Sequence, residues 1–298
     1  GGEPLLRDDL EGLLEFCAFS DIDVWIETNG TLITRDMARM FGKYKVDHIS
    51  VSLDSAFADV HDSFRGQKGA FNCAVEGIKN LRDEYFPPQV IMSLYNENLT
   101  DFKSFIRLIQ ELDVNDIKIN TISPVGRGSD LNEKGLAPTV REILDFSRQL
   151  KDITGDFKGS VFLDIPAAFK GLEELDGSSC GICSIKNILG ILSDGSVSIC
   201  GIGLMEESLI FGNVKDDPSV LKDIWHNNPI LKQIREDIPS KFEGVCGMCV
   251  FKKRCLGSCR AEVYHNTGSL FSPYWFCQEA YDEGIFPSTR LIPEALRT

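Results

Sequence analysis

Cysteine is the feature that most constrains this chain. Of its ten cysteines, Cys17 and Cys73 stand alone in residues 1–179, while Cys180, Cys183, Cys200, Cys246, Cys249, Cys255, Cys259 and Cys277 crowd into residues 180–298. Their spacing is Cys180-x2-Cys183-x11-Gly195-x4-Cys200, then 45 residues, then Cys246-x2-Cys249-x5-Cys255-x3-Cys259-x17-Cys277. Three chemistries use such spacing: a disulfide framework, two structural zinc sites, or two iron–sulfur clusters held by four thiolates each. Disulfides fall well behind, because no secretion signal is visible and a large α/β region needs no staples. On spacing alone, zinc and iron–sulfur stand level. Cys17 and Cys73 each fall in a helical pattern, where a small buried hydrophobe is the default expectation.

The first region alternates helix and strand patterns. Residues 8–19 place Leu10, Leu13, Leu14 and Cys17 on one helical face. Strands are predicted over 22–27, 48–53, 89–94 and 116–122, and helices over 34–44, 70–82, 101–112 and 140–150. Strands separated by helices imply βαβ units, a parallel sheet, and a site at the carboxyl ends of the strands. The loops at those ends are Thr28-Asn29-Gly30, 52–55, 95–98 and 123–128. Residues 156–177 are transitional. A hairpin follows, with Asp194-Gly195 between apolar runs, and then one or two helices over 219–235, broken near Pro229. The division expected is 1–177 and 178–298.

Net charge excludes some functions. Lys and Arg number 31 against 45 Asp and Glu, a formal charge of −14, which disfavours a nucleic-acid or anionic-membrane surface. No apolar run approaches the ~20 residues of a membrane span.

Several short segments carry a family resemblance. Gly1-Gly2-Glu3-Pro4, Thr28-Asn29-Gly30, Ile49-Ser50-Val51-Ser52-Leu53-Asp54, Arg65 with Gly69-Ala70-Phe71, and Pro124-Val125-Gly126-Arg127-Gly128 occur in this order. Together they resemble the radical S-adenosylmethionine (SAM) enzymes. The seven-cysteine tail from Cys183 to Cys277 is similar to the SPASM extension of that superfamily. The fold this implies is α/β: a partial (β/α)6 barrel, without its first strand, first helix and most of its second strand, followed by a small cysteine-rich domain with a β-hairpin.

The resemblance also implies roles. Gly1, Gly2, Glu3 and Pro4 would bind the SAM ammonium, Thr28 and Asn29 would line the same mouth, and Ser52 would contact SAM. Arg65 would pair with the SAM carboxylate, and Ile122 would wall the adenine side. Two auxiliary [4Fe–4S] clusters are implied, one on Cys180, Cys183, Cys200 and Cys259, the other on Cys246, Cys249, Cys255 and Cys277. The superfamily's radical-generating [4Fe–4S] cluster sits on Cys-x3-Cys-x2-Cys, a motif this sequence does not contain. It is expected upstream of Gly1 in a longer parent, so that the parent is active and these 298 residues alone are not.

Implied too are a ferredoxin or flavodoxin electron donor, a cytoplasmic, low-oxygen setting, and hydrogen abstraction from a peptide or small-molecule substrate. Peptide maturation is the preferred reading. Tetrapyrrole side-chain modification in a haem pathway is the alternative, with a non-catalytic zinc or iron–sulfur scaffold as the rival class. Gly201 after Cys200 lowers sulfatase maturation, where an Asp is expected. No catalytic base is assigned.

Overall fold

The computed structural model describes residues 2–175, 183–293 and 295. Gly1, Cys180 and the expected boundary at 177/178 lie outside the described residues. Five strands, β1 (Trp25–Thr28), β2 (His48–Ser52), β3 (Gln89–Leu94), β4 (Asp116–Thr121) and β5 (Ser160–Asp164), form one parallel sheet in chain order. Helical segments connect them: α1 (Leu10–Phe19) precedes β1, α2 (Arg35–Lys43) follows it, and α3 (Ala58–Arg65) and α4 (Ala70–Asp83) lie between β2 and β3. Further along are α5 (Asn96–Thr100), α6 (Phe102–Glu111), α7 (Arg127–Glu133) and α8 (Val140–Thr154). The cysteine-rich region carries an antiparallel sheet of β6 (Gly190–Ile191), β7 (Ser196–Ser198) and β8 (Ile210–Asn213). Helices Val220–Asn227 and Pro229–Asp237 break at Pro229 as the sequence predicts. No helix among the described residues is long and apolar enough to cross a membrane.

Local chemistry sets these boundaries. Thr34 caps α2 by accepting from Met37 N at 3.2 Å. Thr139 and Glu142 close a capping box at the start of α8. Helix α6 buries Phe102, Phe105, Ile106 and Ile109, each worth roughly 1.5–3 kcal/mol by burial of apolar surface. The sequence reading missed α3, α7, β5 and β8. It also placed Leu13 and Cys73 inside. Leu13 is 42% exposed. Cys73 is exposed because α4 turns Ala70, Ala74, Gly77, Ile78 and Leu81 inward instead. Cys17 is half-buried.

The two sheet faces differ. Along β4, Ile117 and Ile119 are fully buried towards the helices, while Asp116, Lys118 and Asn120 look to the other face. On that polar face Ser50 Oγ donates to Gln89 Oε1 at 3.2 Å, Gln89 Nε2 donates to Asp116 Oδ2 at 2.8 Å, and Ser160 Oγ donates to Asp116 Oδ1 at 2.8 Å. This belt crosses β2 to β5 near their amino ends and leaves the carboxyl ends for other groups.

One apolar core runs through both regions, from Leu5 to Phe286. Phe169 joins them, with its ring 5.3 Å from Phe276 and 5.4 Å from Phe286, edge-on to both. Arg141 of α8 pairs with Glu283 at 3.0 Å.

Candidate functional site

The Glu3 carboxylate meets the end of β1. Thr28 Oγ1 donates to Glu3 Oε1 at 2.6 Å, and Asn29 N donates to Oε2 at 2.8 Å. Pro4 opens a short 3-10 turn that Glu3 caps through Leu5 N at 3.1 Å. The Thr28-Asn29-Gly30 turn is then held from behind. Gly30 has φ +75°, and a Cβ there would stand 2.5 Å from Val51 Cγ1. A Cβ on Gly77 of α4 would stand 2.4 Å from the Gly30 carbonyl oxygen, so a bare helix face seats the turn.

Ser52 is half-buried at the end of β2. Two residues on, Asp54 is fully buried. It receives Arg65 Nε at 2.5 Å, Arg65 Nη2 at 3.0 Å and Ser93 N at 3.0 Å. Asp54 N donates to His61 Nδ1 at 3.1 Å, and Asn98 Nδ2 donates to Asp54 O at 2.8 Å. An accepting Nδ1 makes His61 a neutral imidazole, so its 3.5 Å approach to Asp54 Oδ2 is no ion pair. Arg65, expected to address a ligand carboxylate, thus has a protein carboxylate on one edge of its fork. Ile122 is half-buried beside the turn at 123–128, where a Cβ on Gly128 would stand 3.2 Å from Ile122 Cγ2.

The cysteines gather in two sets. Cys246, Cys249, Cys255 and Cys277 all line one small apolar cavity of about 20 Å³, with Phe242, Val245 and Phe286 in its wall. Cys183, Cys200 and Cys259 lie close enough for their charges to interact. Cys180 falls outside the described residues. Burial pushes the Cys249 thiol up to about 11 and the Cys259 thiol up to about 12, and it also raises Cys183. Cys246 moves the other way, because Cys277 donates to it and Tyr274 N donates at 3.3 Å, while Cys277 rises. Phe251 N reaches Cys249 Sγ at 3.4 Å.

Buried thiols of this kind ionise when a metal centre supplies the compensating charge. Backbone N–H groups aimed at sulfur suit thiolates held on an iron–sulfur cluster. Among the described residues, no three His, Cys, Asp or Glu side chains converge tightly enough to hold a single ion.

A second cavity of about 290 Å³ lies between the carboxyl ends of β4 and β5 and the cysteine region. Lys118, Asp164, Cys183, Cys255, Ser258, Cys259 and Tyr274 line it. Burial raises the Asp164 carboxyl, opposed by Lys118 and Lys170. Behind it, burial pushes Glu262 up to about 7. Ser123 and Trp275 stand near enough to oppose that shift without closing a well-formed hydrogen bond. Glu262 Oε1, Ser123 Oγ and Trp275 Nε1 are buried with no partner among the described residues. Lys118, Asp164, Asp54 and Glu262 escaped the sequence reading. The period-two alternation of residues 116–120 was the available signal for Lys118.

Comparison with known proteins decides the family. The model described as "Radical SAM superfamily" matches residues 1–109, and the one described as "Iron-sulfur cluster-binding domain" (SPASM) matches residues 180–255. The chain belongs to the radical SAM superfamily and carries a SPASM domain. SAM and iron–sulfur clusters are the typical cofactors of radical SAM/SPASM enzymes. Among relatives, the chain is 28% identical over 295 residues to an AdoMet-dependent heme synthase of Methanosarcina barkeri, covering 93% of this chain and 80% of that protein. It is 27% identical over 305 residues to the mycofactocin maturase MftC of Mycolicibacterium smegmatis, covering 99% and 73%. Its fold is similar to that of Streptococcus suis SuiB bound to S-adenosylmethionine, with a TM-score of 0.72 and 18% identity over 93% of this chain and 65% of that one. It is also similar to anSMEcpe with bound AdoMet and a Cp18Cys peptide, with a TM-score of 0.67, 17% identity, and 95% and 80% covered.

Proposed function

We propose that the protein is a radical SAM/SPASM enzyme that abstracts a hydrogen atom from a peptide side chain seated in the 290 Å³ cavity. Bound SAM would supply the 5′-deoxyadenosyl radical for that step on taking one electron from a third, radical-generating [4Fe–4S] cluster, whose Cys-x3-Cys-x2-Cys ligand motif these residues do not contain. Residues 1–177 form the SAM-binding unit, a partial barrel, and residues 178–298 the unit for two auxiliary [4Fe–4S] clusters. Glu3, Gly2 and Pro4 address the SAM ammonium, with Gly1 beside them. Thr28 and Asn29 fix the Glu3 carboxylate in place, Ser52 and Ile122 line the same mouth, and the outer edge of the Arg65 fork takes the SAM carboxylate. One auxiliary cluster takes Cys183, Cys200 and Cys259 with Cys180, and the other takes Cys246, Cys249, Cys255 and Cys277.

The observation that carries the peptide reading is the cavity. Its lining sets Lys118 and Asp164 of the sheet opposite Ser258 and Tyr274 of the cysteine-rich region, a polar seat for one substrate group. Cys183, Cys255 and Cys259 form part of its wall, so a substrate there touches both cluster sites. Lys118, midway along β4, orients an anionic or polar substrate group, and Asp164 at the end of β5 accepts a hydrogen bond or holds a proton. SuiB has been solved with its precursor peptide SuiA. Similarity to the AdoMet-dependent heme synthase favours a second reading, in which Lys118 pairs with a tetrapyrrole carboxylate.

Residues 1–298 contain no Cys-x3-Cys-x2-Cys motif, and 5′-deoxyadenosine is expected only from a chain that supplies one. The test incubates the whole gene product, reduced with dithionite, with peptides encoded beside its gene and separately with iron-coproporphyrin. A mass change on a peptide supports the proposal. A change confined to the tetrapyrrole overturns it.

A further inference from the structure

Arg260 is the largest fully buried side chain among the described residues, with no exposure at all. A guanidinium stays charged in any protein environment, and burying an ion costs several kcal/mol unless it is compensated. Compensation by hydrogen bonding is only partial here. Nη1 donates to Leu270 O at 3.2 Å and Ser272 O at 2.9 Å, and Nη2 donates to Gly257 O, so among the described residues each of these bonds goes to a neutral carbonyl. Nε has no partner among the described residues. The guanidinium lies 5.0 Å from the centre of the Phe242 ring, in cation–π contact. Gly257 makes room for it, since a Cβ there would stand 2.7 Å from Arg260 Cζ.

Phe242 and Gly257 are also walls of the cavity lined by Cys246, Cys249, Cys255 and Cys277. The charge of Arg260 is felt by Cys246, Cys255 and Cys259, and by Cys183. Arg260 directly follows Cys259 of one set, and its guanidinium packs on Gly257 and Phe242 at the cavity of the other, so the cation adjoins both.

We infer that Arg260 is a positioning residue whose fixed charge compensates the two thiolate-ligated clusters and holds their reduction potentials up. This rests on the cluster assignment above. Four thiolates on an oxidised cubane leave a net charge of about −2, and one added electron makes it about −3. A cation adjoining both sites favours the electron-rich state of each, so deleting it lowers both potentials. The protein's share is geometric: three carbonyls and a ring hold the charge away from solvent.

The test is a potentiometric titration with dithionite as reductant, followed by electron paramagnetic resonance, on the anaerobically reconstituted protein and its Arg260→Gln and Arg260→Lys variants, with iron counted in each. Arg260→Gln is expected to move both midpoints negative by about tenfold in the reduced-to-oxidised ratio, which is ~59 mV for one electron. Arg260→Lys is expected to keep them near wild type. Clusters lost from the Gln variant but held at wild-type potential by the Lys variant also support the inference. Loaded Gln variant with unmoved midpoints overturns it, as does equal cluster loss from both variants. Wild-type protein that takes up no iron instead overturns the cluster assignment beneath it.

Discussion

Arg65 Nε lies 2.5 Å from Oδ2 of Asp54, and its Nη2 lies 3.0 Å from Oδ1, a two-pronged pair on a carboxylate with no solvent exposure. The pair joins the end of α3 to the loop after β2. Both ends of that loop therefore depend on one charge interaction.

Removing the arginine leaves a buried carboxylate with only Ser93 N and the rest of its polar shell. A fully buried pair broken this way costs roughly 3–5 kcal/mol. The Arg65 side chain is 29% exposed, so Arg65→Met is expected to cost roughly 2 kcal/mol by urea denaturation. Adding Asp54→Asn should return part of the loss. Additive losses in the double variant would contradict the coupling.

His61 is 1% exposed, and burial lowers its pKa below the ordinary 6.5, against the attraction of Asp54. The folded protein thus binds fewer protons than the unfolded chain between the lowered pKa and 6.5. Stability is full above pH 6.5 and declines as pH falls through that window. Protonation also ends the 3.1 Å bond from Asp54 N. His61→Gln should flatten the stability profile as pH falls below the ordinary histidine value of about 6.5. An unchanged slope would assign the acid sensitivity elsewhere.

Glu3 holds the turn after β1 and is proposed to meet the SAM ammonium. Glu3→Gln keeps an acceptor for Thr28, turns an amide NH2 towards Asn29 N and removes the charge. Calorimetric SAM binding should weaken roughly tenfold or more, the worth of a charge-assisted hydrogen bond. Intact affinity would move the ammonium site away from Glu3.

The two cysteine sets predict separable metal losses. Cys277→Ser and Cys200→Ser should each lower reconstituted iron from about eight towards four per chain, because each cubane needs its four thiolates. The two variants should lose different paramagnetic signals. Loss of the same signal from both would redraw the ligand sets.

Much of this was legible in the chain itself. β3 runs over Gln89–Leu94, the strand predicted there, and the Pro229 break falls between two helices. Strand β5 was not legible, because Ser-Val-Phe-Leu-Asp is short and follows Gly and Lys residues that read as loop. Helix α3 hid behind His61, Asp62 and Ser63, which are indifferent helix formers. The grouping of the cysteines followed from the resemblance, and Cys246, Cys249, Cys255 and Cys277 do share one cavity. Asp54 stands inside the resembling segment 49–54, but no pattern gives it or Glu262 a role. Their importance comes from burial without bulk water, which depends on what packs over them from distant segments.

Phe169 touching both Phe276 and Phe286 bears on engineering. The cysteine-rich tail cannot be exchanged between relatives as a cassette at residue 177. A chimera cut there would face a foreign aromatic partner, and a graft should carry residues 160–175 with the tail that evolved against them.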